Sequence, residues 1–158
     1  MKSLLEKLLP KTVDNNFPGK KLAFYALVPL TLLSVVRSCI HLLAPDGGAQ
    51  SIASIPLDQY SGGASANIIA IFSQWGLSQL LLAAIYVLVL FRYRSLIPLC
   101  YAILICSAFG RFVIGELKPI ETPTTAPGEA GNLPFLAMGV VLLVISLIPA
   151  TTEKGNPK

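Results

Sequence analysis

Charge is scarce in this chain. Eight Asp and Glu and twelve Lys and Arg amount to 13% of 158 residues, where a soluble domain carries about 25%. A globular fold of this length would need a charged surface, and there are too few charges to build one. No Asp or Glu falls inside any of the four long apolar runs, which argues against a proton relay or a cation pathway through them. Histidine occurs once, as His41, so one chain cannot supply two imidazoles to a haem. The three cysteines, Cys39, Cys100 and Cys106, all lie inside apolar runs with no CxxC and no Cys/His ligand spacing. This excludes a disulfide framework and a structural zinc site, and the thiols read as small apolar residues. Val36-Arg37-Ser38-Cys39 is a poor lipoprotein signal, because arginine stands where a small residue is wanted. There is no HExxH, no GxSxG and no phosphate- or dinucleotide-binding loop. No metal and no cofactor is therefore expected. The basic residues sit at the ends of apolar runs rather than among aromatics on a polar face, so the net charge of +4 is not a nucleic-acid signal.

Hydrophobic sequence is abundant. It makes up 54% of the chain, mean hydropathy is +0.69, and it is gathered into four blocks, the pattern of membrane spans. Residues 1–21 form a basic stub in which Leu4, Leu5, Leu8 and Leu9 share one helix side until Pro10 ends the pattern; such a stub lies on a membrane surface. The single transmembrane domain covers 22–150, with spans at about 22–43, 64–91, 95–115 and 133–150 and a tail at 151–158. The first span reaches about 33 Å, enough to cross a hydrocarbon core of about 30 Å. Pro29 should kink it. The loop 44–63 is too apolar to be freely solvated, with Ile52, Ile55, Leu57 and Tyr60, and reads as a short surface helix or lid. The segment 116–132 is polar and rich in Pro, Thr and Gly and reads as a flexible loop. The fourth span, with Ser146 alone polar in its interior, reads as lipid-facing and structural.

Lys2, Lys7, Lys11, Lys20, Lys21, Arg92, Arg94, Lys154 and Lys158 fall on one side of such a chain and Lys118 alone on the other. The expected fold class is therefore all-α: an integral membrane four-helix bundle, N-in and C-in, with two longer outer loops. Compactness and short loops suggest a plasma membrane of bacterial type.

Function has to be sought in the polar residues that the spans carry. Thr31, Ser34, Arg37, Ser38 and His41 lie within an arc of about 120° on one helix face. Ser107, Arg111 and Gly115 recur at four-residue spacing in the third span, and Asn67, Gln74 and Ser78 line one face of the second, with Gln79 on an adjoining side. A cation in a membrane helix must face protein, water or a headgroup. Arg37, Arg111 and Gln74 come out at similar depth, with His41 just above, which makes a basic pocket opening outward. The expected ligand set is Arg37, His41, Gln74 and Arg111 with Ser34, Ser38 and Ser107, suited to an anionic or polar small molecule or a lipid headgroup. Two alternatives stand beside it. In one the arginines pair with loop acids, Asp46 or Asp58 for Arg37 and Glu116 for Arg111, and the protein is a structural subunit that oligomerises through Ala102, Cys106 and Gly110. In the other it is a membrane enzyme acting on a lipid or quinone, with His41 as acid/base. The segment 111–119, RFVIGELKP, resembles a stretch of small four-helix families such as DoxX; the likeness covers that short segment, and no site residue is carried over from it.

Overall fold

The computed structural model describes residues 3–150; Lys2 and the expected tail 151–158 lie outside them. The described chain is all-helical and, among the described residues, has no strand beyond one isolated bridge between Gly19 and Pro149. The five α-helices are α1 (Leu4–Leu8), α2 (Lys21–Leu43), α3 (Gly62–Arg92), α4 (Ile97–Leu117) and α5 (Pro127–Leu147). The last four are long and apolar enough to cross a membrane. Their outward surface is apolar, with Leu32, Leu81, Ile85, Phe109 and Val141 all exposed. This is the reverse of a water-soluble protein and matches a surface solvated by lipid.

Helix ends follow local chemistry. Ser3 and Glu6 form a reciprocal capping box at the start of α1, and the Ser61 hydroxyl accepts the Ala64 amide at the start of α3. α2 runs unbroken through Pro29, which lies on the exposed face. The tight basic connection after α3 is completed by a short 3₁₀ turn, Arg94–Leu96, with Pro98 in the first turn of α4. The fourth span differs most from expectation. α5 begins at Pro127, six residues before the expected 133, so the second loop shrinks to 118–126. Pro127 stands at the first helical position and Glu129 in the first turn, both favourable there.

Packing joins α2 to α3 and α4 to α5 most extensively, α2 to α5 less so, and α3 to α4 hardly at all although they are consecutive. The α2–α3 seam is built from Leu27, Thr31, Ser34, Ser38 and His41 against Gly76, Gln79, Ala83, Tyr86 and Leu90, each set spaced by threes and fours. Gly76 makes the approach possible, since a Cβ there would lie 2.7 Å from the Leu42 amide nitrogen and 2.8 Å from the His41 carbonyl carbon. At the end where the chain termini meet, Leu27, Tyr86, Ile97 and Tyr101 form a buried apolar core onto which Phe17 packs. There the Tyr101 hydroxyl donates to the Ala23 carbonyl at 2.5 Å. Ser95 exchanges hydrogen bonds with Asp14, and the Ala150 amide donates to Pro18. At the other end, the loop end, α3 runs past the end of α2, and the loop 44–61 folds along it. Ala49, Ile55 and Leu57 bury themselves on Ile68, Ile69 and Phe72.

Candidate functional site

Arg37 lies on the flank of the α2–α3 seam. Its guanidinium stacks on the Trp75 ring of α3, 5.0 Å from the centroid, and reaches toward Gly128 in the first turn of α5. Arg111, on α4, is half-buried; its Nη1 donates to the Ser107 hydroxyl at 2.6 Å and its Nε to the Asn132 side-chain oxygen on α5 at 3.2 Å. Gly128 and Asn132 stand one turn apart on α5, so both guanidiniums meet the same face of that helix. Four helices thus bring two cations to one centre: α2 and α4 supply the charges, α3 an aromatic face, α5 an amide.

Among the described residues no carboxylate stands against either guanidinium. The acids that the sequence offered as partners are otherwise engaged. Asp46 accepts from the backbone amides of Gly48 at 2.9 Å, Gln50 at 3.2 Å and Ser51 at 2.7 Å, which nails down the turn after α2. Burial alone would raise this carboxyl, but the Ser51 and Gly48 amides outweigh it and hold it below its ordinary value. Asp58 accepts from the Gln50 amide side chain, and Glu116 is exposed at the end of α4.

The remaining expected ligands divide. Ser107 is at the centre, bonded to Arg111. Ser34 and Ser38 sit in the α2–α3 seam and donate back to their own helix, to Leu30 and Ser34 carbonyls at 2.8 and 2.6 Å; their small size serves helix packing. His41 is 2% exposed. Its Nδ1 lies 2.8 Å from the Gly47 carbonyl oxygen, its ring packs on Trp75 and Phe72, and Gly48 closes over it. Gly47 and Gly48 have φ of 61° and 70°, the conformation that lets the loop turn back onto the ring. That geometry makes His41 a fastening between helix and loop. Gln74 is not brought to the centre: its side chain is exposed, because the interior side of α3 is a different one. That side carries Trp75, Gln79, Leu82, Tyr86 and Val89, spaced by threes and fours.

Trp75, Gln79 and Asn132 are not among the ligands expected from the sequence, and 132 falls in the segment expected to be loop. The spacing of Trp75, Gln79 and Tyr86 was the available signal for the first two, and the Pro127/Glu129 helix start for the third. Two members of the α3 line hold buried polar atoms with no partner among the described residues: Gln79 Nε2 and the Tyr86 hydroxyl. Thr31 Oγ1, on the facing side of the seam, is a third. The oligomer stripe faces away from these groups: Cys106 is exposed and Gly110 has open space around it.

The donors at this centre are two guanidiniums, with no carboxylate against either among the described residues. Such a set accepts an anion. No known family, no curated protein and no solved structure matches this chain.

Proposed function

We propose that the chain is a multi-pass membrane binding protein: a four-helix bundle, N-in and C-in in a plasma membrane of bacterial type, that holds an anionic group in its outer half between Arg37 and Arg111. One observation carries the reading. Two half-buried guanidiniums meet one face of α5, at Gly128 and Asn132, with no carboxylate against either among the described residues. Like charges held in one region repel by roughly 1 kcal/mol at the effective dielectric of a protein surface, and desolvation adds to that cost. An anion seated between them turns both terms around, and a carboxylate or phosphate meets the planar donors of each arginine. The sidedness rests on nine Lys and Arg against one.

The test is thermal unfolding of detergent-solubilised protein against a panel of carboxylates, phosphates and anionic lipids. Anions raise the midpoint of the wild type, and Arg37→Met and Arg111→Met each remove the rise. A panel that moves wild type and variants alike sinks the reading. An enzymatic role for His41 has less support, because its Nδ1 is committed to Gly47 and its ring is enclosed by Trp75, Phe72 and Gly48.

A further inference from the structure

His41 is the single histidine of the chain, and it is held between the turn after α2 and the side of α3. Its Nδ1 lies 2.8 Å from the Gly47 carbonyl oxygen. A carbonyl only accepts, so the neutral ring carries its hydrogen on Nδ1 and its lone pair on Nε2. The ring centroid stands 4.8 Å from that of Trp75 and 5.7 Å from that of Phe72. A Cβ at Gly48 would lie 3.0 Å from Nδ1, and one at Gly47 would lie 3.1 Å from the Phe72 Cβ, so the turn closes tightly on ring and helix together.

This slot suits a neutral imidazole. A proton taken up at Nε2 makes a cation with two N–H groups to satisfy. Among the described residues the ring has one hydrogen bond, the one that Nδ1 already makes. The aromatic face that would best receive a cation already carries one, the Arg37 guanidinium, 5.0 Å from the Trp75 ring. α3 offers Phe72, Trp75 and Gly76, none of which ionises. Asp46, the acid of the turn, is occupied by the amides of Gly48, Gln50 and Ser51. A ring in water takes its proton near the ordinary value, about 6.5. Acid therefore favours the arrangement in which the ring has left the slot.

The other ties of the loop say what moves with it. Asp46 gathers the turn's own amides, and the Ile52 and Ala53 amides bond to the Gly48 carbonyl. These bonds are internal, so the turn holds its shape when the ring goes. Farther along, Ser54 has a φ of 59°, a left-handed conformation that is costly for a residue with a Cβ. Its hydroxyl accepts from Thr124 in the second loop. Beyond it the Ser65 hydroxyl donates to the Leu57 carbonyl and fixes the loop to α3. The segment 44–53 thus runs from a titratable fastening to a strained joint.

We propose that His41 is an acid-released latch: on protonation at Nε2 its ring leaves the slot between the Gly47–Gly48 turn and Trp75, and the segment 44–53 lifts from α3 as a unit, bending at Ser54. The latch does not depend on what the arginines hold. It reaches them, because the indole that His41 leaves is the one on which Arg37 stacks.

Trp75 is the single tryptophan of the chain, so it reports on the slot directly. Purified protein in detergent is titrated from about pH 8 to about pH 5, and emission intensity and acrylamide quenching are read together. A charged imidazole in contact quenches the indole, whereas an imidazole that has left uncovers it to acrylamide. The wild type is expected to show a quenching constant that rises at least about twofold, with one midpoint between about pH 5 and 6.5. His41→Gln keeps a donor for the Gly47 carbonyl but does not titrate, and its quenching constant should stay flat. A fall in emission with no gain in acrylamide access means that the ring takes its proton in place, and overturns the release. No change in either readout down to about pH 5 overturns the latch. The same rise in His41→Gln assigns the transition to another group and overturns it too. No other side chain of this chain has an ordinary value between about 5 and 7, so the wild-type titration decides even where the variant fails to fold.

Discussion

Tyr86 and Asp46 are opposite cases of a buried polar group. The Tyr86 hydroxyl is enclosed and unpartnered, so in the absence of ligand it contributes nothing in return for its desolvation. Tyr86→Phe should leave the unfolding free energy of ligand-free protein within about 0.5 kcal/mol of wild type, or raise it; a loss above ~1.5 kcal/mol would mean that the hydroxyl has a partner inside the protein. Asp46 is the reverse, a carboxylate that collects three backbone amides. Its pKa is lowered in the folded chain, so the stabilisation is present above the unfolded value, about pH 3.9, and is lost as the pH falls through the lower folded value. Amide hydrogen exchange at Gly48, Gln50 and Ser51 should therefore stay protected down to about pH 4 and accelerate below it, and Asp46→Ala should expose these amides at neutral pH. At this scale the sequence made Arg37, Arg111 and Ser107 legible, because charge and spacing are local properties. Gln74 and Gln79 were not distinguishable in the same way. They differ by about 140° around the helix, and which side faces inward is decided by how α3 packs on its neighbours.

Among elements, the α2–α3 seam and the start of α5 are the informative ones. Gly76 lets backbone meet backbone, so a side chain there has no flexible neighbour to push aside. Gly76→Val should destabilise the protein by about 2 kcal/mol or more, whereas Gly139→Ala, whose new methyl would meet the movable Ile105 side chain at 3.1 Å, should cost less than ~1 kcal/mol. Thermal unfolding of the two variants side by side measures this, and equal losses would contradict the close seam. The spans themselves were readable because twenty apolar residues in a row leave few alternatives: α2, α3 and α4 begin and end within two residues of expectation. The start of α5 was hidden by composition. The run Pro127-Gly128-Glu129-Ala130-Gly131-Asn132 reads as loop, yet Pro127 and Glu129 suit a helix start and Asn132 is held by Arg111. Here a tertiary contact prevails over weak local propensity.

For the whole molecule, two helical pairs share one polar centre near the loop end and one apolar core near the termini. With N-in and C-in topology, cysteine placed at Lys118 should react with a membrane-impermeant maleimide on intact cells, and cysteine placed at Arg92 only after permeabilisation; the opposite pattern would put the arginine centre in the inner leaflet. The central claim is that Arg37 and Arg111 repel each other until an anion sits between them. A double-mutant cycle with Arg37→Gln, Arg111→Gln and the double variant measures their coupling in unfolding free energy, once in phosphatidylcholine alone and once with phosphatidylglycerol present. The coupling should be unfavourable by roughly 1 kcal/mol without the anionic lipid and become favourable with it. A coupling that stays the same in both membranes would contradict the account.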